Sequence, residues 1–572
     1  MRKIATILAT LWCGAVLGQP KASDYVPPVD IPIVLSGNVG EIRANHFHSG
    51  IDIKTQGVVG KNILAAADGH VSRIAVSPTG YGKVLYIDHP NGTTTVYGHL
   101  ESFNERIGEY VRNEQYRKKS FAVELYPAAG LLPVKQGEIV ALSGNSGSSG
   151  GPHLHYEIRD KASQDPLNVL GKRLFPGIKD DTAPQFFNLW VIHVDTVQGV
   201  PVHVIQHAYP VVKSADGYVV EGEKAVSFAS PGYFAVEVID MKNGAANTMG
   251  LYRLEQTLDG RPHFGLSTDR FSFATTRHIN TMVHYVLHKK ARYEVYRTYV
   301  SPKNGLPIYQ GVVDRGIVRL TDKNEHAVFM RIEDDNGNSS HLRFGIMESD
   351  KIPASIDHLD QMHPVRWNEK YEYKADDLKV TIPAGVLYES TLFTFEKTGN
   401  RPKAFFSPVY RIAAQEGVPL QQAMTVSIRP DSLPPRLQPK ACLASLGTNN
   451  RRIYEGGRWE RGYVAGTTHT FGDYVVAVDT IAPRIEPTFT KGADLTNQRA
   501  FSLTMRDDFS GIATWSVEID GQWALFDYDA KNNVIRHWFR DARYEKGKRH
   551  MLRAVATDNK GNRKEITTEF VW

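Results

Sequence analysis

Two short stretches about a hundred residues apart carry the residue types of a metal hydrolase. His48-Ser49-Gly50-Ile51-Asp52 offers a histidine and a carboxylate at i and i+4, and Gly151-Pro152-His153-Leu154-His155 offers two histidines at i and i+2. Three such ligands hold a zinc ion and leave a fourth position for water. In a strand, residues i and i+2 share a face, so His153 and His155 can reach one point while Leu154 turns to the core. Glu157 falls on the same face one pleat further along.

The elements around these residues read as strands. Ile63–Ala67, Val84–Ile87 and Thr95–Tyr97 are short apolar runs separated by turn residues, and Asn91-Gly92 predicts a hairpin that places Ile87 and Val96 on paired strands. A helix is expected over about 102–118, with Phe103, Ile107 and Val111 spaced by four. The run Gly144-Asn145-Ser146-Gly147-Ser148-Ser149-Gly150-Gly151 is poor in side chains and would let an extended substrate approach the backbone. It lacks the lysine of a phosphate-binding loop. No His-Glu-x-x-His is present, which excludes the helical zinc-protease arrangement.

His48-x-x-x-Asp52, Tyr97-Gly98-His99-Leu100 and Gly151-Pro152-His153-Leu154-His155 fall in the order found in the lysostaphin/LytM-type zinc endopeptidases (peptidase family M23), which this stretch resembles. Ala66-Ala67-Asp68-Gly69-His70-Val71, Gly80-Tyr81-Gly82 and His155-Tyr156-Glu157-Ile158-Arg159 extend the resemblance over roughly 38–170. It implies a Zn²⁺ cofactor held by His48, Asp52 and His155, with His99 and His153 as the catalytic pair flanking the metal's water. Zinc chemistry then supplies a water of pKa near about 7 and polarises the scissile carbonyl. One imidazole would take the water's proton and the other stabilise the oxyanion, in an order that the residues leave open. Tyr81, Asn145 and Ser146 are expected along the substrate groove. His46 reads as a groove or core histidine, and His70 and His89 as structural. The insertion of about 101–133 departs from the family pattern and is expected to form a wall or lid of the groove.

A chain of 572 residues exceeds one core. With 48 Gly, 30 Pro and 26 Tyr, its composition favours turn-rich β-structure. Residues 1–18 read as a secretory signal, with Arg2-Lys3 ahead of a short apolar stretch. The bulky Trp12 before Cys13 argues against lipidation. Without that leader Cys442 is the sole cysteine, so no internal disulfide can form. The formal net charge of +5 is diffuse, without the basic run that nucleic acid needs. No later segment is apolar over a membrane-spanning length.

We therefore expect a mostly β protein: a peptidase domain over 23–178, then about three β-sandwich domains over 179–350, 351–478 and 479–572. The first and last of these read as copies of one module. Asp181-Thr182-Ala183-Pro184 recurs as Asp479-Thr480-Ile481-Ala482-Pro483, and Asp334-Asp335-Asn336-Gly337-Asn338 as Asp558-Asn559-Lys560-Gly561-Asn562. Between these lie Val238-Ile239-Asp240 with Leu258-Asp259-Gly260, matched by Met505-Arg506-Asp507 with Ile519-Asp520-Gly521. These copies resemble bacterial Ig-like domains. Their Asp-rich turns read as tight hairpins rather than calcium sites, since one turn supplies too few ligands.

The leading functional expectation is an exported enzyme, periplasmic, envelope-associated or secreted, that hydrolyses peptide bonds in peptidoglycan cross-links or stems. A D-alanyl–diaminopimelyl bond is preferred over Gly–Gly. The competing expectations are a scaffold or activator of other wall hydrolases and a surface-binding protein with a vestigial peptidase. The β-sandwich domains are the expected surface for a protein partner.

Overall fold

The computed structural model describes residues 20–175, 178–349, 351, 359–398 and 404–572. The expected leader lies outside the described residues.

The N-terminal unit is built on one antiparallel sheet. Its strand order is Leu35–Gly37, Ile51–Lys54, His153–Asp160, Thr93–Gly98, Lys83–Asp88, Gly69–Val76 and Val123–Leu125. The Asn91-Gly92 turn closes the expected hairpin, with Tyr86 opposite Val96 and Ile87 opposite Thr95. In the central strand Leu154, Tyr156 and Ile158 are fully buried in the core on alternate positions. Alternation therefore sends His153, His155 and Glu157 to the opposite face. Gly50 is required here, because a Cβ at that position would collide with the Tyr156 carbonyl of the neighbouring strand.

The predicted helix forms over Glu105–Lys118, later than expected because Ser102–Phe103 pairs as a strand with Ile139–Leu142. Asn104 caps it by accepting from Ile107 N at 3.0 Å, and Ile107 and Val111 face inward.

The two module copies share their hydrogen bonding. Asp334 accepts from Asn336 N and Asn338 N at 2.9 and 2.8 Å, and Asn338 Nδ2 donates back to Asp180 O at 3.0 Å. Asp558, Lys560, Asn562 and Asp479 repeat this at 2.8, 2.8 and 3.0 Å. A second shared bond fixes the register. Asp259 accepts from Ala327 N and meets His326 Nδ1, and Asp520 does the same with Met551 N and His550 Nδ1. The copies share these turns and bonds, although the strands of 185–348 form one 12-stranded sheet and those of 484–571 a four-stranded and a five-stranded one, and the first carries the longer excursion after Gly260.

Between them, six strands of 363–478 face a five-stranded sheet that runs from Tyr371–Lys374 to Arg458–Glu460. A separate core centred on Val380, Ile412, Val426 and Val476 fills the space between.

The insertion does not border the groove of the candidate site, contrary to expectation. Its helix is instead the seat of the last module. Tyr116 donates to Asp541 O at 2.6 Å and meets Trp523 edge-on at 5.2 Å, with Arg543 over its ring. Such an aromatic pair adds about 0.5–1.5 kcal/mol beyond its buried area. Ile107 and Val111 turn to the core and Tyr116 to this contact, so the helix is oriented toward the last module and not toward the groove.

Candidate metal centre and groove

The sheet register assembles the cluster. His155 lies directly across from Asp52 on one neighbouring strand and from Gly98 on the other, so His99 follows at the strand end. His99 takes a left-handed backbone (φ 59°) and turns its ring back toward His153, 4.8 Å away between centroids.

The donor atoms converge. His48 Nε2 is 3.1 Å from Asp52 Oδ1 and 3.0 Å from His155 Nδ1, and His155 Nδ1 is 3.0 Å from Asp52 Oδ1. Bonds of about 2.0–2.1 Å to one zinc ion require donors about this close. The nitrogens facing away are engaged as zinc-bound imidazoles require: His48 Nδ1 donates to Asn38 O at 2.8 Å, and His155 Nε2 to Glu157 Oε1 at 2.8 Å. The residues fit the metal that their order suggested.

Behind the cluster, Glu157 is fully buried and balanced by Arg159, whose Nε donates to Oε2 at 2.6 Å. Ser49 and Tyr81 hydroxyls donate to the other oxygen at 2.9 and 2.6 Å. Removing one member of such a buried pair costs roughly 3–5 kcal/mol.

Burial alone would raise Asp52 and Glu157. For Asp52 the charge of His48 and hydrogen bonds from the three histidines win, and for Glu157 Arg159 and His155 win, so both lie well below the usual carboxylate range. His155 resists the downward pull of burial: Asp52 and Glu157 push it up to about 9. His99 is driven down to about 3 by desolvation, then by the neighbouring His155 and His153.

Both expected catalytic histidines are anchored through Nδ1. His99 donates to Ser146 O at 2.9 Å, and His153 to Gly151 O at 2.8 Å with Ser149 Oγ at 3.2 Å. His153 Nε2 lies 3.4 Å from Asp52 Oδ1. The cluster opens on a groove of about 1210 Å³ bordered by Arg43, His46, Tyr81, the 148–152 loop, and Asn247 and Phe273 of the first module. Asn145 and Ser146, expected along the groove, are not on its lining; Ser146 is tucked beneath it, its hydroxyl bonded to Lys83 N and Leu100 O. Their place in a glycine-rich string gave no sign of which residues turn inward. His89 is a structural residue, held between Asp68 O and Thr95 Oγ1. His70 borders a different depression, away from the cluster.

Sequence reading missed Asn247 and Phe273, which come from another domain and carry no local signal. It also did not assemble Asp180, Asp240 and Asp334, whose oxygens lie within 4.8 Å of one another, nor the equivalent Asp479, Asp507 and Asp558. The signal was available in the repeat, because each aspartate has its counterpart in the other copy.

A β-sheet unit with two histidines and an aspartate converging at a groove is a site that can hold a metal ion. The comparisons narrow it. The sequence model described as Peptidase family M23 matches residues 46–116, and one described as a Zu5-like domain matches 362–479. The chain is similar to an "Uncharacterized metalloprotease" of Haemophilus influenzae, 33% identical over 131 residues, covering 23% of this chain and 22% of that one. It is 32% identical over 128 residues to "DD-carboxypeptidase/endopeptidase Mpg" of Neisseria meningitidis, covering 22% and 23%. It is also 32% identical over 127 residues to "Murein hydrolase activator NlpD" of Escherichia coli, covering 22% and 27%. The chain thus spans about a quarter or less of the length of these relatives. Its N-terminal domain is a domain of peptidase family M23.

Proposed function

We propose that the chain is an exported zinc endopeptidase that hydrolyses peptide bonds in peptidoglycan. The observation that carries this reading is the complete set of five groups: three converging donors with backed imidazoles, and two further histidines turned to the same groove. His48, Asp52 and His155 would hold the metal. Bound there, zinc supplies Lewis acidity for a carbonyl and a water of lowered pKa.

The chain's own residues do the rest. Donation from Nδ1 to the loop leaves Nε2 of a neutral imidazole free to accept a proton. A proton accepted at that Nε2 can pass to the leaving amine. Tyr81, Phe273 and Asn247 border the path of an extended peptide. Peptide-bond cleavage is supported by the Neisseria relative, a DD-carboxypeptidase/endopeptidase, and the cell wall as its place by the Escherichia relative, a murein hydrolase activator.

A second reading is favoured by the Escherichia relative, a murein hydrolase activator at similar identity. In that case the chain would stimulate another hydrolase without cutting. Zinc-loaded protein incubated with defined muropeptides and followed by mass spectrometry separates the two. We expect release of cleaved peptide that disappears with chelator and in His155→Ala, with the β-structure retained. Stoichiometric zinc without cleavage would overturn the endopeptidase reading in favour of the activator.

A further inference from the structure

We infer that Lys531, on the last module, is a positioning residue for the peptidase site. This rests on the reading above and assigns the distant C-terminal domain a role in it. Lys531 sits in the turn between the paired strands Asp527–Asp529 and Val534–Trp538, a turn closed by Asn533 N donating to Ala530 O at 3.3 Å. Its ammonium crosses to the glycine-rich loop of the peptidase domain. There it donates to Asn145 O, to Asn145 Oδ1 at 3.0 Å and to Ser149 O at 2.9 Å.

Those contacts bracket the atoms that orient both histidines. Ser146 O holds His99 Nδ1, while Gly151 O and Ser149 Oγ hold His153 Nδ1. The first half of the loop has anchors of its own, since Ser148 N and Oγ bond Gly80 and Ser146 Oγ bonds Lys83 N. The second half has few. A Cβ at Gly150 or Gly151 would meet nothing within 4 Å, so those two residues are open on that side, and Ser149 Oγ ties only to Gly151 and His153. An ammonium fixing Ser149 O supplies the restraint from outside.

The turn is held in place by the rest of the interface. Asp527 pairs with Lys83 at 2.8 Å, and Asp541 lies 3.5 Å from Arg112 and accepts from Tyr116 through its carbonyl. The insertion helix therefore docks the last module, and the last module holds the loop that orients His153.

The test uses full-length zinc-loaded protein and Lys531→Met, which keeps the side chain's length and removes its donors. Hydrogen exchange over 144–152 is expected to quicken while the helix Glu105–Lys118 is unchanged. On a defined muropeptide kcat should fall about tenfold with KM and zinc content little altered, because the loss is in the orientation of reacting groups. Lys531→Arg, which keeps donors, should recover part of both. Unchanged loop exchange overturns the inference, and so does a kcat that rises as the loop loosens, since the lysine would then be a restraint. If wild-type protein cleaves nothing, the endopeptidase reading fails, and the exchange result alone still decides whether Lys531 holds the loop.

Discussion

Among the described residues there are two kinds of three-ligand cluster, and they are built differently. His48, Asp52 and His155 surround one carboxylate with imidazoles, keep the compensating ion pair Glu157–Arg159 one layer behind, and open on a groove. Asp180, Asp240 and Asp334 are all carboxylates, and the positive charge beside them is built into the chain. Lys242 Nζ reaches Asp335 at 2.5 Å, Asn336 Oδ1 at 2.8 Å and Asp180 at 3.3 Å, in a pocket where its side chain is almost fully buried. Asp240 accepts no hydrogen bond there, and desolvation pushes it up to about 8. Proximity of ligand-type atoms therefore does not separate the two. Access and the origin of the balancing charge distinguish the two clusters.

The widest test of that contrast is to damage each cluster. His155→Ala should abolish zinc retention and lower kcat/KM by about 10³-fold or more, the scale of losing an essential catalytic group. Lys242→Met should do the reverse. It leaves Asp180 and Asp335 buried without their cation and should cost about 3–5 kcal/mol in denaturant unfolding, while zinc content stays the same. Equal stability of Lys242→Met and wild type would remove the distinction between the clusters.

Two smaller effects sharpen it. His155 is raised to about 9 in the metal-free site, so zinc must displace a proton there at neutral pH. Its apparent affinity, measured against a competing chelator, should weaken up to about tenfold for each unit of pH lowered below 9. A flat profile would contradict the assignment of His155 as a ligand.

For Asp240 the folded-state pKa of about 8 exceeds the ordinary 3.8. The stability it contributes is therefore complete below pH 3.8 and is lost as the pH rises to 8. Asp240→Asn should consequently stabilise the protein by about 1–2 kcal/mol near pH 7.5. The gain should vanish near pH 4, as checked by urea unfolding at both values. A destabilised variant at pH 7.5 would mean that the carboxylate is used by the fold.

Much of the site was legible because strand periodicity is local. His153, His155 and Glu157 share a face whatever the rest of the chain does, and Asn91-Gly92 closes a hairpin by its own backbone preferences. The repeat was legible for the same reason, since Asp334 and Asp558 bond to residues two and four positions on. The insertion was misread because a helix with one apolar stripe does not reveal which neighbour its polar face meets. Tyr116 found Trp523, more than four hundred residues away in sequence.

The sequence by itself determined the β class and supplied the candidate donors and the recurring Asp-rich turns, all written in residue type and short spacing. Tertiary structure alone decided that His155 sits across from Asp52, and that Phe273 and Asn247 border the groove. It also decided that Lys242 supplies the cation of the acidic cluster and that Lys531 reaches the loop beside His153. Those outcomes depend on sheet register and domain docking. Both are set by the burial of whole faces, a sum over many contacts that no short motif records.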